Sequence, residues 1–254
     1  MSRRPAHLVF GRHPVLALLT RAPEQVQTLW LGEGAGAVGQ QAAGLAARAR
    51  VACQRVGRRQ LDDWCEGARH QHLAASTGPF AYADFASLLA PPGDGSPALW
   101  VVLDQVQDPR NLGAIVRSAV AFGATAALVP HDRSAPMTPA ALKASAGAAY
   151  ALPIAQATNL RRALEQLKHS GVWLHGLSAD AALPVGRADW RGPSAIVVGA
   201  EGHGLRPLTQ KACDHLVGIR AGGMESLNAA TAAAIALYEA AGQRHTGPAG
   251  GGRA

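Results

Sequence analysis

The chain has 254 residues, 48% of them hydrophobic and 16% charged, a balance too apolar for a disordered protein and long enough for a small domain followed by a larger one. Its longest apolar runs, at 99–103 and 195–198, are of strand length and fall well short of the ~20 residues of a membrane-spanning helix, so no membrane association is expected. The formal charge of +7 suits a polyanionic partner, and residues 1–78 carry ten arginines against five acids, which concentrates the attraction for nucleic acid in the N-terminal third. The basic start loses its apolar character after three residues, so no export signal is expected and the location read from the sequence is cytoplasmic. Cys53, Cys65 and Cys213 form no Cys-x-x-Cys pair and are expected to be reduced packing residues. No metal is expected, because no side chains cluster at ligand spacing.

Apolar runs at 8–10, 28–31, 51–56 and 73–76 alternate with helical stretches at 14–20, 38–49 and 59–66, which predicts a small α/β module over 1–78. A connector follows at 79–97, with a short helix at 84–89 and a Pro/Gly cluster at 91–97. The larger domain is expected at 98–245. Its strands are predicted near 98–103, 125–130, 151–155, 172–177, 194–199 and 215–219, and its helices near 111–122, 138–146, 159–169, 206–212 and 227–241. Val/Leu/Ile-rich strands separated by helices imply a mostly parallel sheet with helices on both faces. The glycine-rich tail at 246–254 lacks core-forming residues and is expected to be disordered.

Three loops carry chemistry. The first, Asp108-Pro109-Arg110-Asn111-Leu112-Gly113, opens a helix whose residues Leu112, Ile115, Val116 and Ala119 form a buried stripe. Arg110, Gly113, Ala114 and Arg117 share another face, where two guanidinium groups flank an almost bare strip of backbone open to a sugar-phosphate chain; Asn111 stands at the helix mouth, where capping is its simplest role. The second, Gly199-Ala200-Glu201-Gly202-His203-Gly204, breaks from a buried strand and places one carboxylate in a glycine loop, with His203 facing solvent. In the third, Arg220-Ala221-Gly222-Gly223-Met224-Glu225-Ser226-Leu227-Asn228 leads into an alanine-rich helix that Ser226 or Asn228 can cap. A dinucleotide-binding reading requires Gly-x-Gly-x-x-Gly after the first strand of the sheet. The strand at 98–103 has no glycine behind it until Gly113, which disfavours a nucleotide-dependent oxidoreductase.

Taken in order, the loops resemble the three motifs of the SpoU class of ribose 2′-O-methyltransferases, within the SPOUT or trefoil-knot superfamily. Asp108, Pro109, Asn111, Gly113 and Arg117 match the first motif, Gly199-Ala200-Glu201-Gly202 with Gly204 the second, and Glu225-Ser226-Leu227-Asn228 the third. Phe10-Gly11-Arg12-His13-Pro14, Val129-Pro130 with Asp132-Arg133-Ser134-Ala135, and Ser145 with Gly147-Ala148 are similar to the branch that methylates a guanosine of 23S rRNA. Two departures are the stretch at 220–224, one residue shorter than the family's and with Arg220 in place of proline, and His72, where a small residue is expected.

The resemblance implies a deep C-terminal trefoil knot, a homodimer with its active site near the subunit boundary, and S-adenosylmethionine as cofactor. It implicates Asn111, Arg117, Glu201, Ser226 and Asn228 in catalysis, backbone near Gly199, Gly202, Ile219 and Leu227 in cofactor binding, and Arg12 and Arg110 in RNA binding. Guanidinium is a poor conventional base, so Arg117 is expected to clamp a phosphate oxygen that receives the proton or polarises the hydroxyl. Asn111 would orient the ribose, Glu201 would hold Arg117 or the sugar, and Asn228 with Ser226 would complete the pocket. The implied partner is 23S rRNA or a pre-ribosomal particle. The same chemistry on tRNA and a non-catalytic RNA-binding assembly protein are the competing readings, and the N-terminal module favours the ribosomal one.

Overall fold

The computed structural model describes residues 4–220 and 226–245. The tail at 246–254 and the glycine loop at 221–225, with Glu225, lie outside the described residues. The N-terminal elements are β1 (Leu8–Phe10), α1 (Arg12–Arg21), β2 (Val26–Gly32), α2 (Gly36–Arg48), β3 (Ala52–Val56), α3 (Arg58–Trp64) and β4 (Leu73–Thr77). They form a four-stranded sheet of order β1-β4-β2-β3, antiparallel at β1/β4 and β2/β4 and parallel at β2/β3. Central β4 is buried along its whole length, whereas edge strand β3 is largely exposed. Cys53 therefore lies on the surface rather than in the packing role expected of it. Cys65 is buried, and burial pushes its thiol up to about 11.

The connector is tied down along its length. It holds α4 (Phe85–Leu88), capped by the Asp84 carboxylate, which accepts from Ser87 N. Tyr82 Oη accepts from Met137 N at 2.9 Å, and Ala83 N donates to Ile154 O.

The second unit contains β5 (Leu99–Leu103), α5 (Pro109–Ala121), β6 (Ala126–Pro130), α6 (Pro139–Ala144), β7 (Ile154–Ala157), α7 (Leu160–His169), β8 (Trp173–Leu177), β9 (Leu183–Pro184), β10 (Ser194–Val198), α8 (Pro207–Ala212), β11 (His215–Gly218) and α9 (Ala229–His245). Its seven strands run parallel in the order β7-β6-β5-β10-β8-β11-β9. Because successive strand residues point to opposite faces, β5 and β10 feed two cores. Val101, Leu103, Ile196 and Val198 pack with Leu112, Ile115 and Val116 of α5 and Ala233 and Leu237 of α9. Trp100, Val102, Ala195 and Val197 pack with Leu160, Leu164 and Leu167 of α7. Helices on both faces leave no solvated side, which is why these strands lack polar alternation.

Three local features differ from expectation. The first helix of this unit begins two residues early, since Asp108 accepts from Arg110 N at 2.7 Å as its cap and Pro109 fills the first helical position. Strand β9 is a two-residue edge pairing with no run of strand formers to announce it. The face bearing Gly113 is closed, because a Cβ there would lie 2.4 Å from Ala141 O and 2.6 Å from the Ala144 side chain. The bare strip is thus the seam between α5 and α6, and no sugar-phosphate chain enters it.

Two contacts set the larger geometry. Gly147, at φ +94°, turns the chain so closely beneath α1 that a Cβ would lie 2.3 Å from that of Ala17. Arg244, near the end of α9, donates to the carbonyls of Pro97, Ala98, Trp190 and Gly192, tying the last helix to the segments that enter β5 and β10. No helix among the described residues is long and apolar enough to cross a membrane.

Candidate active site

Strand order reverses direction between β5 and β10: β6 and β7 extend the sheet on one side, β8, β11 and β9 on the other. In open parallel sheets the carboxyl ends on either side of such a point diverge and leave a crevice for ligands. The first two motif loops leave the sheet there. Asp104, fully buried at the end of β5, locks them together. Its backbone N donates to Val198 O at 2.7 Å, and its carboxylate accepts from Arg206 N at 3.0 Å and Arg206 Nε at 2.6 Å. The loop holding Glu201 is thus pinned at both ends.

That loop is tight. Ala200 and Gly204 exchange both backbone hydrogen bonds, and a Cβ on Gly199 would lie 2.2 Å from the Gly204 carbonyl carbon. Gly202 sits at φ +77° in the turn, where an L side chain would be strained. His203 is exposed, as expected.

Asn228 supplies the third side. Its Oδ1 accepts from Ala230 N at 2.9 Å and Thr231 N at 3.2 Å, capping α9. Only the amide oxygen can accept from a backbone N–H, so the cap fixes the side chain's orientation and aims Nδ2 the other way. That nitrogen donates to Glu201 Oε1 and, at 3.1 Å, to Asn111 Oδ1. Asn111 Nδ2 donates to the same Glu201 oxygen at 2.8 Å. Three side chains from three distant segments therefore close one hydrogen-bonded ring. It leaves Glu201 Oε2 and the second Asn111 N–H unengaged among the described residues, an acceptor and a donor side by side. Asn111 lies inside the first turn of α5 and is not its cap.

Arg117 stands apart from the ring. Six residues beyond Asn111 on a helix, it lies about 9 Å along the axis and about 120° around it. Among the described residues it makes no hydrogen bond or ion pair with the ring and instead lines a groove with His13 and Arg21 of α1. The expected Glu201–Arg117 pairing does not form, because helical rotation turns the guanidinium to another face. Ser226 is exposed, two residues before Asn228, with no hydrogen bond to the ring among the described residues. Arg12 and Arg110 are exposed. Ile219 follows β11 and Leu227 precedes Asn228, both half-buried at the two ends of the loop that leads to the ring. Sequence reasoning missed Asp104 and Arg206. A lone acid at the carboxyl end of a buried strand was their signal, since a buried carboxylate requires a partner. No group of three or more His, Cys, Asp or Glu side chains among the described residues is placed to hold a metal.

Residues 98–238 match the model of the SpoU rRNA methylase family, and residues 8–83 match that of the RNA 2′-O ribose methyltransferase substrate-binding domain. The chain is 42% identical over 240 residues to 23S rRNA (guanosine-2′-O-)-methyltransferase RlmB of Pseudomonas syringae pv. tomato, covering 93% of this chain and 95% of that protein. It is 43% identical over 254 residues to an uncharacterized tRNA/rRNA methyltransferase of Mycobacterium sp. (strain KMS), covering 96% of this chain and 81% of that one. Among solved structures it is similar to the SpoU methyltransferase AviRb from Streptomyces viridochromogenes in complex with the cofactor AdoMet. The TM-score is 0.79 and the identity 25%, over 94% of this chain and 91% of the other.

Proposed function

Because this chain belongs to the SpoU rRNA methylase family, we propose that it transfers the methyl group of S-adenosylmethionine to the ribose 2′-hydroxyl of a guanosine in 23S rRNA, in the cytoplasm, on free RNA or a pre-ribosomal particle. The observation that carries the reading is the closed ring of Asn111, Glu201 and Asn228 at the strand-end crevice. Its two remaining valences match a ribose 2′-hydroxyl, which both donates and accepts.

The residues present fit the cofactor. The loops at 199–204 and 226–228 approach with backbone and small side chains, and Ile219 and Leu227 add apolar surface. Bound there, S-adenosylmethionine supplies an electrophilic methyl on sulfur, with the sulfur leaving as a neutral thioether. The protein's work is placement. Asn111 N–H donates to the ribose 2′-oxygen, Glu201 Oε2 orients the 2′-hydroxyl by accepting its hydrogen bond before reaction, and Asn228 holds both partners rigid through its cap. Arg117 clamps a phosphate oxygen, and that oxygen receives the hydroxyl proton as the methyl is transferred.

Since Arg117 faces away from the ring of its own chain, we assign its clamp to the ring of a second copy. Ile235 and Tyr238 are exposed one turn apart on α9, Tyr238 packs edge-on against Phe122 at the end of α5, and Arg117 stands one turn before Ala121 on that exposed border. An apolar face bordered by a cation suits a symmetric dimer. We also place the trefoil knot in this unit, with Arg244 anchoring α9 behind it.

The test is incubation of the purified protein with S-adenosylmethionine and either 23S rRNA or tRNA transcripts, followed by mapping of ribose methylation. A single guanosine mark in 23S rRNA is expected. A mark confined to tRNA moves the substrate, and retention of RNA without cofactor binding or any mark refutes the enzymatic reading.

A further inference from the structure

We propose that the groove between α1 and α5 is an RNA phosphate track built jointly by the two units, so that the N-terminal domain is docked rather than tethered when it presents substrate; this rests on the reading of the chain as an RNA methyltransferase. The groove has a volume of about 560 Å³ and is lined by His13 and Arg21 from α1, Arg117 from α5 and the small residues at 145–148. No acid lines it. Five arginines elsewhere carry a carboxylate partner: Arg4 with Glu66, Arg58 with Asp62, Arg161 with Glu165, Arg191 with Asp189 and Arg206 with Asp104. Neither Arg21 nor Arg117 has an ion pair or hydrogen bond among the described residues, although both point into one concavity. Two guanidinium groups lining one concavity over a floor of small side chains form a receptor for an anionic strand.

The width of the groove is set by packing. Gly147 admits Ala17 so closely that a side chain in its place would push α1 outward. Lys143 Nζ, 4.8 Å above the Phe10 ring, braces the same junction. The resemblance of Ser145 and Gly147-Ala148 to one branch of the family has a physical meaning here, because that turn is where the domains meet. A strand whose phosphates lie on Arg21 and His13 is carried toward Arg117, the residue assigned to the reacting nucleotide. The N-terminal domain then fixes the distance between its own RNA contacts and the methylated ribose.

The test uses the full-length protein and a 23S rRNA transcript that the wild type methylates. RNA dissociation constants are measured across a salt series for Arg21→Gln, Arg21→Lys, His13→Gln and the distant control Arg191→Gln. Arg21→Gln is expected to weaken binding about tenfold and to flatten the salt dependence by about one unit of slope. Arg21→Lys should recover most of the slope, and S-adenosylmethionine affinity should follow the wild type. Affinity and slope for Arg21→Gln and His13→Gln equal to those of Arg191→Gln overturn the track while leaving the methyltransferase reading intact. If the wild type neither binds nor methylates any RNA, that reading fails first and the track falls with it.

Discussion

The ring at the end of β5 and β10 and the groove beside α1 are opposite kinds of polar surface. In the ring, Asn228 Nδ2 meets two acceptors and Glu201 Oε1 two donors, while the α9 cap fixes the Asn228 amide. In the groove two guanidinium groups face solvent without counter-charges among the described residues. A satisfied network is preorganised and orients a reacting group with little further ordering. Unpartnered cations are held in reserve for an anion that arrives with the substrate. On the proposed reading, the same chain separates the placement of the hydroxyl from the grip on the backbone.

The comparison breaks most directly at Glu201. Glu201→Gln keeps the shape but removes the acceptor charge, and we expect single-turnover methylation to fall by about 100-fold or more with RNA affinity near wild type. A fall in RNA affinity instead would merge the two surfaces into one. Next in size, Asp104→Ala strands Arg206 and frees the Glu201 loop. Chemical denaturation should show a loss of about 3 kcal/mol, and methylation should fall even where the protein remains folded.

The smallest effect concerns the sheet beneath. Burial among Trp190 and His215 drives the His175 pKa down to about 4, and neither ring nitrogen has a hydrogen-bond partner among the described residues. The unfolded chain takes up this proton near pH 6.5 and the folded one does not. Stability is therefore complete above that pH and falls by roughly 2 kcal/mol between about pH 7 and about pH 5. His175→Phe should flatten that slope in thermal melts recorded across the range, and an unchanged slope would remove His175 as its source.

Much of this was legible in the residues. Periodicity located every strand but β9 because the buried ones are continuous apolar runs, and the glycine loops stood out where they break. Rotation about α5 was not legible. Gly113 and Ala114 are small whether a face meets phosphate or another helix, so composition alone did not separate the α6 seam from an open strip. The direction of Arg117 relative to the Glu201 loop depends on how α5 packs against α6 and α9, which the residues alone did not show. His13 and Arg21 could not be joined to Arg117 in advance, since their meeting depends on domain docking at Gly147. Strand β9, two residues long, left no pattern to find.

Subunit mixing tests the central claim most directly, that Arg117 completes the ring of a second copy. Arg117→Ala and Glu201→Gln, each inactive alone, are co-expressed with different tags and the mixed dimer is purified. If the clamp acts across the dimer, one of its two centres carries both lesions and the other neither, and methylation returns to about half the wild-type level per dimer. A mixed dimer as inactive as its parents would contradict the assignment and put Arg117 at the ring of its own chain or outside the reaction.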